Sequence, residues 1–240
     1  MAQHARFAEL DWAPTPWGTL SLRRRWDAVT RRDVHEVKLD DDFLMSSQFT
    51  VTERELASLG LAAVEGDGLR VLVGGLGLGY TAWEALRDPR VGDLVVIEAL
   101  DRVIDWHRRD LFPDTQGLAR DPRVHLVHDD FFDLVRTRRW QHPVDVLLVD
   151  IDHAPDRVLR GDHADFYTAG GQAAAAAMLT PGGAFALWSD EPPQPEMVAL
   201  MMGAFDDARP HVVGFDNPLT GGVSSCTVYL GTGPRQQERS

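Results

Sequence analysis

The stretch Val71-Leu72-Val73-Gly74-Gly75-Leu76-Gly77-Leu78-Gly79 decides the fold. Arg70–Val73 reads as a short buried strand, the glycines as a turn, and Thr81–Leu86 as the helix that follows. Without a Cβ, glycine lets the backbone take unusual angles and lie close to a ligand. The first N–H groups of the next helix lack helical partners and point at whatever fills the turn. The spacing is G-x-G-x-G over Gly75, Gly77 and Gly79, with Tyr80 where a dinucleotide fingerprint needs its third glycine. The turn suits a nucleoside without a pyrophosphate better than NAD. A turn that serves close packing alone is the alternative.

Outward from this turn, strand and helix signals alternate. Leu94–Ile97, Val124–Val127 and Val144–Val149 read as strands, with a helix around Val103–Trp106. A long helix is expected over 163–178, ending before Leu179-Thr180-Pro181-Gly182-Gly183. Ala184–Trp188 is a fifth strand and Pro195–Ala208 a helix, and Val212–Phe215 and Thr227–Leu230 are two last strands. Continuous apolar runs such as VDVLLV mark strands covered on both faces, so the pattern predicts an α/β fold with a mostly parallel sheet.

The segment before residue 50 differs. Thr19–Leu22 and Val34–Leu39 alternate, and the turn Asp40-Asp41-Asp42 leads into Phe43-Leu44-Met45, all hairpin signals. Thr52-Glu53-Arg54-Glu55 matches a capping box, with Thr52 as N-cap and Val51 and Leu56 as the hydrophobic staple. The expected organisation is a small β appendage over 1–50, a ligand-binding domain over 51–232 and a polar tail over 233–240.

Composition bounds the function. The 240 residues carry 37 acidic and 24 basic side chains, a net charge of −13, and 44% are hydrophobic. That excludes a largely disordered chain and argues against a nucleic-acid partner, which calls for a basic patch, while leaving a cationic small molecule open. Cys226 alone cannot form an internal disulfide and is expected to be a small packed hydrophobe. No secretory signal or apolar run of membrane-spanning length is present, so a cytoplasmic protein with no membrane partner is the expectation. No serine sits in G-x-S-x-G. His125, His128, Asp129, Asp130, Asp152, His153, Asp162 and His163 crowd one region, yet no H-E-x-x-H or paired C-x-x-C exists, and no metal is expected.

The strand ends carry the chemistry. Glu98 closes the second strand about 20 residues past the glycines, where a carboxylate bonds ribose hydroxyls; capping the next helix is its alternative role. The third strand runs into Asp129-Asp130, placed to accept from an adenine amino group, with an N-cap as the alternative for Asp130. The fourth runs into Asp150-Ile151-Asp152-His153. Asp150, straight off a buried run, is placed to hold or deprotonate an amine.

These features resemble the spermidine synthase family of polyamine aminopropyltransferases, inside the class I S-adenosylmethionine-dependent methyltransferase fold. Pro16-Trp17-Gly18-Thr19-Leu20 is similar to the family's opening strand, and Thr52-Glu53-Arg54-Glu55 to its T-E-R-D-E segment. The glycine loop 74–79, Glu98, Asp130 before Phe132, Asp150 and Leu179-Thr180-Pro181-Gly182-Gly183 follow in the family's order. The resemblance implies a Rossmann-like, mostly parallel seven-stranded sheet and a homodimer. It also implies transfer of an aminopropyl group from decarboxylated S-adenosylmethionine to a small-molecule amine. It places Gly75, Gly77 and Gly79 along the donor's methionine-derived portion, Glu98 with Ala99 at the ribose, Asp129 and Asp130 by the adenine, and Asp150 as the catalytic Asp that orients and helps deprotonate the amine. Gln48, Asp152 and His153 are the candidate acceptor-binding residues.

Four positions depart from the family pattern. Gly77 stands where the family loop has an Asp for the donor's aminopropyl end. Leu59 replaces its substrate Tyr, Thr50 its Gln (with Gln48 two residues away), and His153 takes the place of its second Asp, which comes one residue early as Asp152. Two further readings therefore stay open: a methyltransferase using ordinary S-adenosylmethionine, and an inactive nucleoside-binding relative.

Overall fold

The computed structural model describes residues 6–235. The N-terminal part is an antiparallel meander of β1 (Phe7–Thr15), β2 (Gly18–Asp27), β3 (Arg32–Leu39) and β4 (Asp42–Ser46). Its first strand was not anticipated, because Pro14 and Pro16 interrupt the alternation there. Asp11 on β1 accepts hydrogen bonds from Arg102 (2.9 Å), Arg109 (2.8 Å) and the Trp106 indole (2.8 Å), fastening this sheet to the rest.

The chain continues as α1 (Val51–Ala62), β5 (Leu69–Gly74), α2 (Tyr80–Arg87), β6 (Val91–Glu98), α3 (Asp101–Arg108), β7 (Val124–His128), α4 (Phe131–Arg136) and β8 (Val144–Val149). It ends with α5 (Ala169–Ala176), β9 (Leu179–Ser189), α6 (Pro195–Ala204), β10 (Phe205–Asn217) and β11 (Gly222–Pro234). Sheet order is β10-β11-β9-β8-β5-β6-β7. The five strands β5 to β9 are parallel, and β10 and β11 add an antiparallel hairpin at one edge. Val71 and Val73 of β5 pack on one face of the sheet with α1 and α2, and Leu72 on the other face with Phe131 and Phe185. Each such apolar side chain removed from water contributes about 1.5–3 kcal/mol.

Four local expectations need correction. Thr52 is not an N-cap: α1 begins a residue earlier, Thr50 holds the cap position without a side-chain bond, and Thr52 is buried inside the helix. Val51 is 43% exposed, so no staple forms with Leu56. The helix expected over 163–178 is broken: a 3-10 segment, Gly161–Tyr167, precedes α5, and the Thr168 hydroxyl accepts from the Gly171 N–H at 3.2 Å to start the new helix. Leu179–Gly183 does not precede β9 but forms its first residues. Leu179 pairs with Val144 and Ala184 with Val146, so the segment between bulges, with Gly182 at φ +83°.

The helix expected over 195–208 stops at Ala204, because Phe205 begins β10 opposite Pro234 and stacks on Phe185 at 5.6 Å. The strand β11 runs two residues past the boundary expected at 232, and residues 236–240 of the expected tail lie outside the described residues.

Candidate active site

The strand order reverses between β5 and β8. The chain leaves β5 toward β6 and β7, then returns to β8 on the other side. Such a switch point opens a crevice at the carboxyl ends of the strands. The glycine loop leaves β5 there and Asp150 leaves β8, with the Asp150 N–H donating to the Gly74 carbonyl at 2.9 Å.

Two cavities meet at this point. The larger, about 640 Å³, is lined by Gly75, Gly77, Glu98, Ala99, Asp130 and Asp150 together with Trp17 and Arg160. The smaller, about 380 Å³, is lined by Glu53, Tyr80, Asp150, Trp188 and Phe215 among others. Gly77, Asp150, Ile151 and His153 line both, as do Phe43, Leu44 and Met45 of β4. The appendage thus supplies one wall of each cavity. Gly79 lines the smaller cavity and is the left-handed N-cap of α2 at φ +86°.

The loop is held from below. Glu98 accepts from the Leu76 N–H (3.0 Å) and Gly77 N–H (3.5 Å) through one oxygen and from the Leu100 N–H (2.8 Å) through the other. Burial pushes its carboxyl up, and these N–H groups pull against that. His107 lies against the loop from α3. Burial lowers it to about 4, so the neutral ring donates Nε2–H to the Gly77 carbonyl at 2.9 Å.

The remaining candidates divide clearly. Asp130 lines the larger cavity and caps α4, accepting from the Asp133 N–H at 3.0 Å. Asp129 points elsewhere, paired with Arg139 at 2.8 Å. Asp152 is 3% exposed and lines neither cavity. It accepts from the Leu159 N–H (2.7 Å), His163 Nδ1 (2.8 Å) and the Tyr167 hydroxyl (2.9 Å). Gln48 is buried in the appendage between Asp27 (2.6 Å) and Arg25 (2.7 Å). Of the three residues named for the acceptor, the structure brings only His153 to the cavities.

Asp150 is the carboxylate that both cavities share at their junction. Its Oδ2 accepts from the Thr81 hydroxyl at 2.7 Å. Burial pushes its carboxyl up, while the Thr81 bond pulls it down. Glu53, in the first turn of α1, is raised first by burial and then by Asp150 beside it. Glu53 belongs to the T-E-R-E segment, where no local signal distinguishes it from an ordinary first-turn acid. Cys226 also lines the smaller cavity, contrary to expectation, and burial pushes its thiol up to about 11, which suppresses the thiolate.

Among the described residues no cluster of three or more His, Cys, Asp or Glu side chains is arranged to hold a metal ion, and no helix is long and apolar enough to cross a membrane.

No protein-family model matches the chain. It is 33% identical over 168 residues to the polyamine aminopropyltransferase of Mycobacterium tuberculosis, spanning 68% of this chain and 31% of that protein. It is 35% identical over 81 residues to putrescine N-methyltransferase 2 of Nicotiana tabacum, spanning 34% of this chain and 22% of that protein. The chain therefore covers less than a third of the length of these curated relatives. Spermidine synthase solved in complex with the transition state analogue AdoDATO superposes on it with a TM-score of 0.75 at 18% identity, covering 95% of this chain and 74% of that one. Spermidine synthase from Thermotoga maritima gives a TM-score of 0.73 at 18% identity over the same shares. The structural likeness shows the fold, a Rossmann-like seven-stranded sheet carrying an N-terminal antiparallel appendage.

Proposed function

We propose that this chain, spermidine-synthase-like in sequence and in fold, transfers an aminopropyl group from decarboxylated S-adenosylmethionine to a small amine. One observation carries the reading: a nucleoside-sized cavity and a second, acid-lined cavity open onto the same carboxylate, Asp150. The larger cavity takes the donor, with Glu98 and Ala99 at the ribose, Asp130 toward the adenine and Gly75 and Gly77 along the chain bearing the sulfonium. The smaller cavity takes the amine. The nitrogen lone pair forms the new N–C bond, the C–S bond breaks, and its electron pair goes to sulfur, leaving methylthioadenosine. Asp150 orients the nitrogen for in-line attack and helps it shed a proton, which is largely a matter of positioning. No step calls for a metal. The reading includes a cytoplasmic homodimer, by the family resemblance, with residues 51–232 as the donor-binding unit.

A second reading, methyl transfer from ordinary S-adenosylmethionine, draws on Gly77. A Cβ there would stand 3.0 Å from Met45 Sδ, so an apolar side chain occupies the space next to the position where an aspartate serves the aminopropyl end in the family. Incubation of the protein with putrescine and each donor in turn, followed by mass spectrometry, separates the readings. Methylthioadenosine from the decarboxylated donor supports the proposal. Adenosylhomocysteine from the ordinary donor replaces it with the second. Donor binding with neither product leaves the inactive nucleoside-binding relative. Sedimentation velocity tests the dimer.

A further inference from the structure

We infer that Glu53 is the second acid of the acceptor cavity: together with Asp150 it holds the attacking nitrogen, and it takes the proton that nitrogen sheds. This inference rests on the acceptor role given above to the smaller cavity.

The argument begins with charge. Among the described residues that line this cavity are three carboxylates, Glu53, Asp150 and Asp190, and no Lys or Arg. A buried carboxylate without a counter-ion is costly, and two side by side more so. Asp190 has its cation already, because Arg157 pairs with it and His153 lies 3.8 Å away. Glu53 does not. Its neighbour Arg54 turns away to Glu84 at 3.0 Å and lies over the Tyr80 ring at 5.1 Å. The side-chain bond to the Glu53 carboxylate is from the Thr52 hydroxyl, 3.0 Å from Oε2, and that hydroxyl is itself fixed by the Trp188 indole N–H at 3.1 Å.

Position follows from α2. Thr81 Oγ1 lies 2.7 Å from Asp150 Oδ2 and 3.2 Å from the Glu53 main-chain carbonyl, so one buried side chain packs the backbone of Glu53 against the Asp150 carboxylate, and the two carboxyls are close enough to raise Glu53. The titratable and charged groups that line this cavity with Glu53 are Asp150 and Asp190 at the strand ends, His153, Tyr80 and Cys226, and Arg54 is its neighbour on its own helix. An amine entering this cavity therefore meets two acids with no Lys or Arg in the lining to pair them, and its own positive charge is what ionises them. When the N–C bond forms, the nitrogen becomes cationic; Asp150 keeps it oriented, and its proton passes to Glu53 in the ionised form.

The test compares wild type, Glu53→Gln and Glu53→Asp with decarboxylated S-adenosylmethionine as donor and putrescine as acceptor. In Glu53→Gln, KM for putrescine rises at least tenfold and kcat falls, while the donor dissociation constant stays within twofold by calorimetry. Glu53→Asp recovers part of the loss. A Glu53→Gln enzyme with KM and kcat within twofold of wild type overturns the inference and leaves the proposed reaction standing. If wild type turns over neither donor, the reaction fails instead, and putrescine is titrated into wild type and Glu53→Gln loaded with methylthioadenosine. At least tenfold weaker binding by the variant supports Glu53 as the amine's partner. Equal affinity, or no binding to wild type, overturns it.

Discussion

The Cα of Gly75 faces the backbone of Asp150 so closely that a side chain has no place there. A Cβ would overlap the Asp150 carbonyl oxygen and stand 2.9 Å from Ile151 Cγ1, and φ is +93°. The glycine loop thus sets the position of the carboxylate on the neighbouring strand end. Gly75→Ala is expected to cost about 1–3 kcal/mol from the backbone conformation alone. It should also push Asp150 out of place, weakening donor binding and turnover together. Chemical denaturation and calorimetric titration of the donor check this, and a variant as stable and as active as wild type would contradict the packing described.

Asp150→Asn should keep the fold and bind donor within about threefold of wild type. Turnover should fall by about 10²–10⁴, the range for losing a positioned acid–base group. Steady-state kinetics beside a donor titration reads both. Retained turnover would remove Asp150 from the reaction.

Thr81→Val removes the hydroxyl that donates to Asp150, and that bond pulls the carboxyl down. One hydrogen bond of about 0.5–1.5 kcal/mol corresponds to roughly 0.4–1 pH unit. The acid limb of the kcat–pH profile should move upward by about that much. An unmoved limb would mean that Asp150 does not govern it.

Burial raises Asp150 from 3.8 to about 6 and, with Asp150 beside it, Glu53 from 4.5 to about 8. A carboxyl raised in the folded state keeps a proton the unfolded chain has released. Its stabilising contribution is therefore full below about pH 4 and is lost as pH rises toward 8. Glu53→Gln should raise Tm over wild type by at least about 2 °C at pH 9, with no gain at pH 4. Calorimetric scans at the two pH values check it, and a gain confined to pH 4 would reverse the assigned sign.

Asp152→Ala should act on stability. It strands three donors, the Leu159 N–H, the His163 ring and the Tyr167 hydroxyl, at about 1–3 kcal/mol for each group left unsatisfied. A loss of at least about 3 kcal/mol in urea denaturation is expected. A fully stable variant with a raised acceptor KM would return Asp152 to the substrate.

Much of the architecture is written in local pattern. The run VDVLLV could only be a strand covered on both faces, and its length matched β8 residue for residue. The glycine turn, Glu98 and Asp150 stood out because each follows an apolar strand in an alternating chain, and an α/β sheet delivers all such residues to one edge. Leu179–Gly183 resisted the same reading. Its Pro and Gly signal a turn, and only pairing with β8 makes it a bulged strand.

The sequence by itself determined the sheet, its order of strands and helices, and the crevice end on which ligand chemistry falls, because burial periodicity and turn residues are local properties. Only the tertiary structure decided which acids face the cavities. Asp152 and Gln48 are acceptor candidates by the family resemblance, yet both are consumed by buried partners, Asp152 by the loop that follows it and Gln48 by β2. Glu53 lies 97 positions before Asp150 and comes to it through α1, α2 and Thr81. Phe43–Met45 read as an ordinary strand, and the packing of the appendage turns them into a wall of both cavities. A side chain's partner across the fold is set by which elements pack together, and no local spacing encodes that.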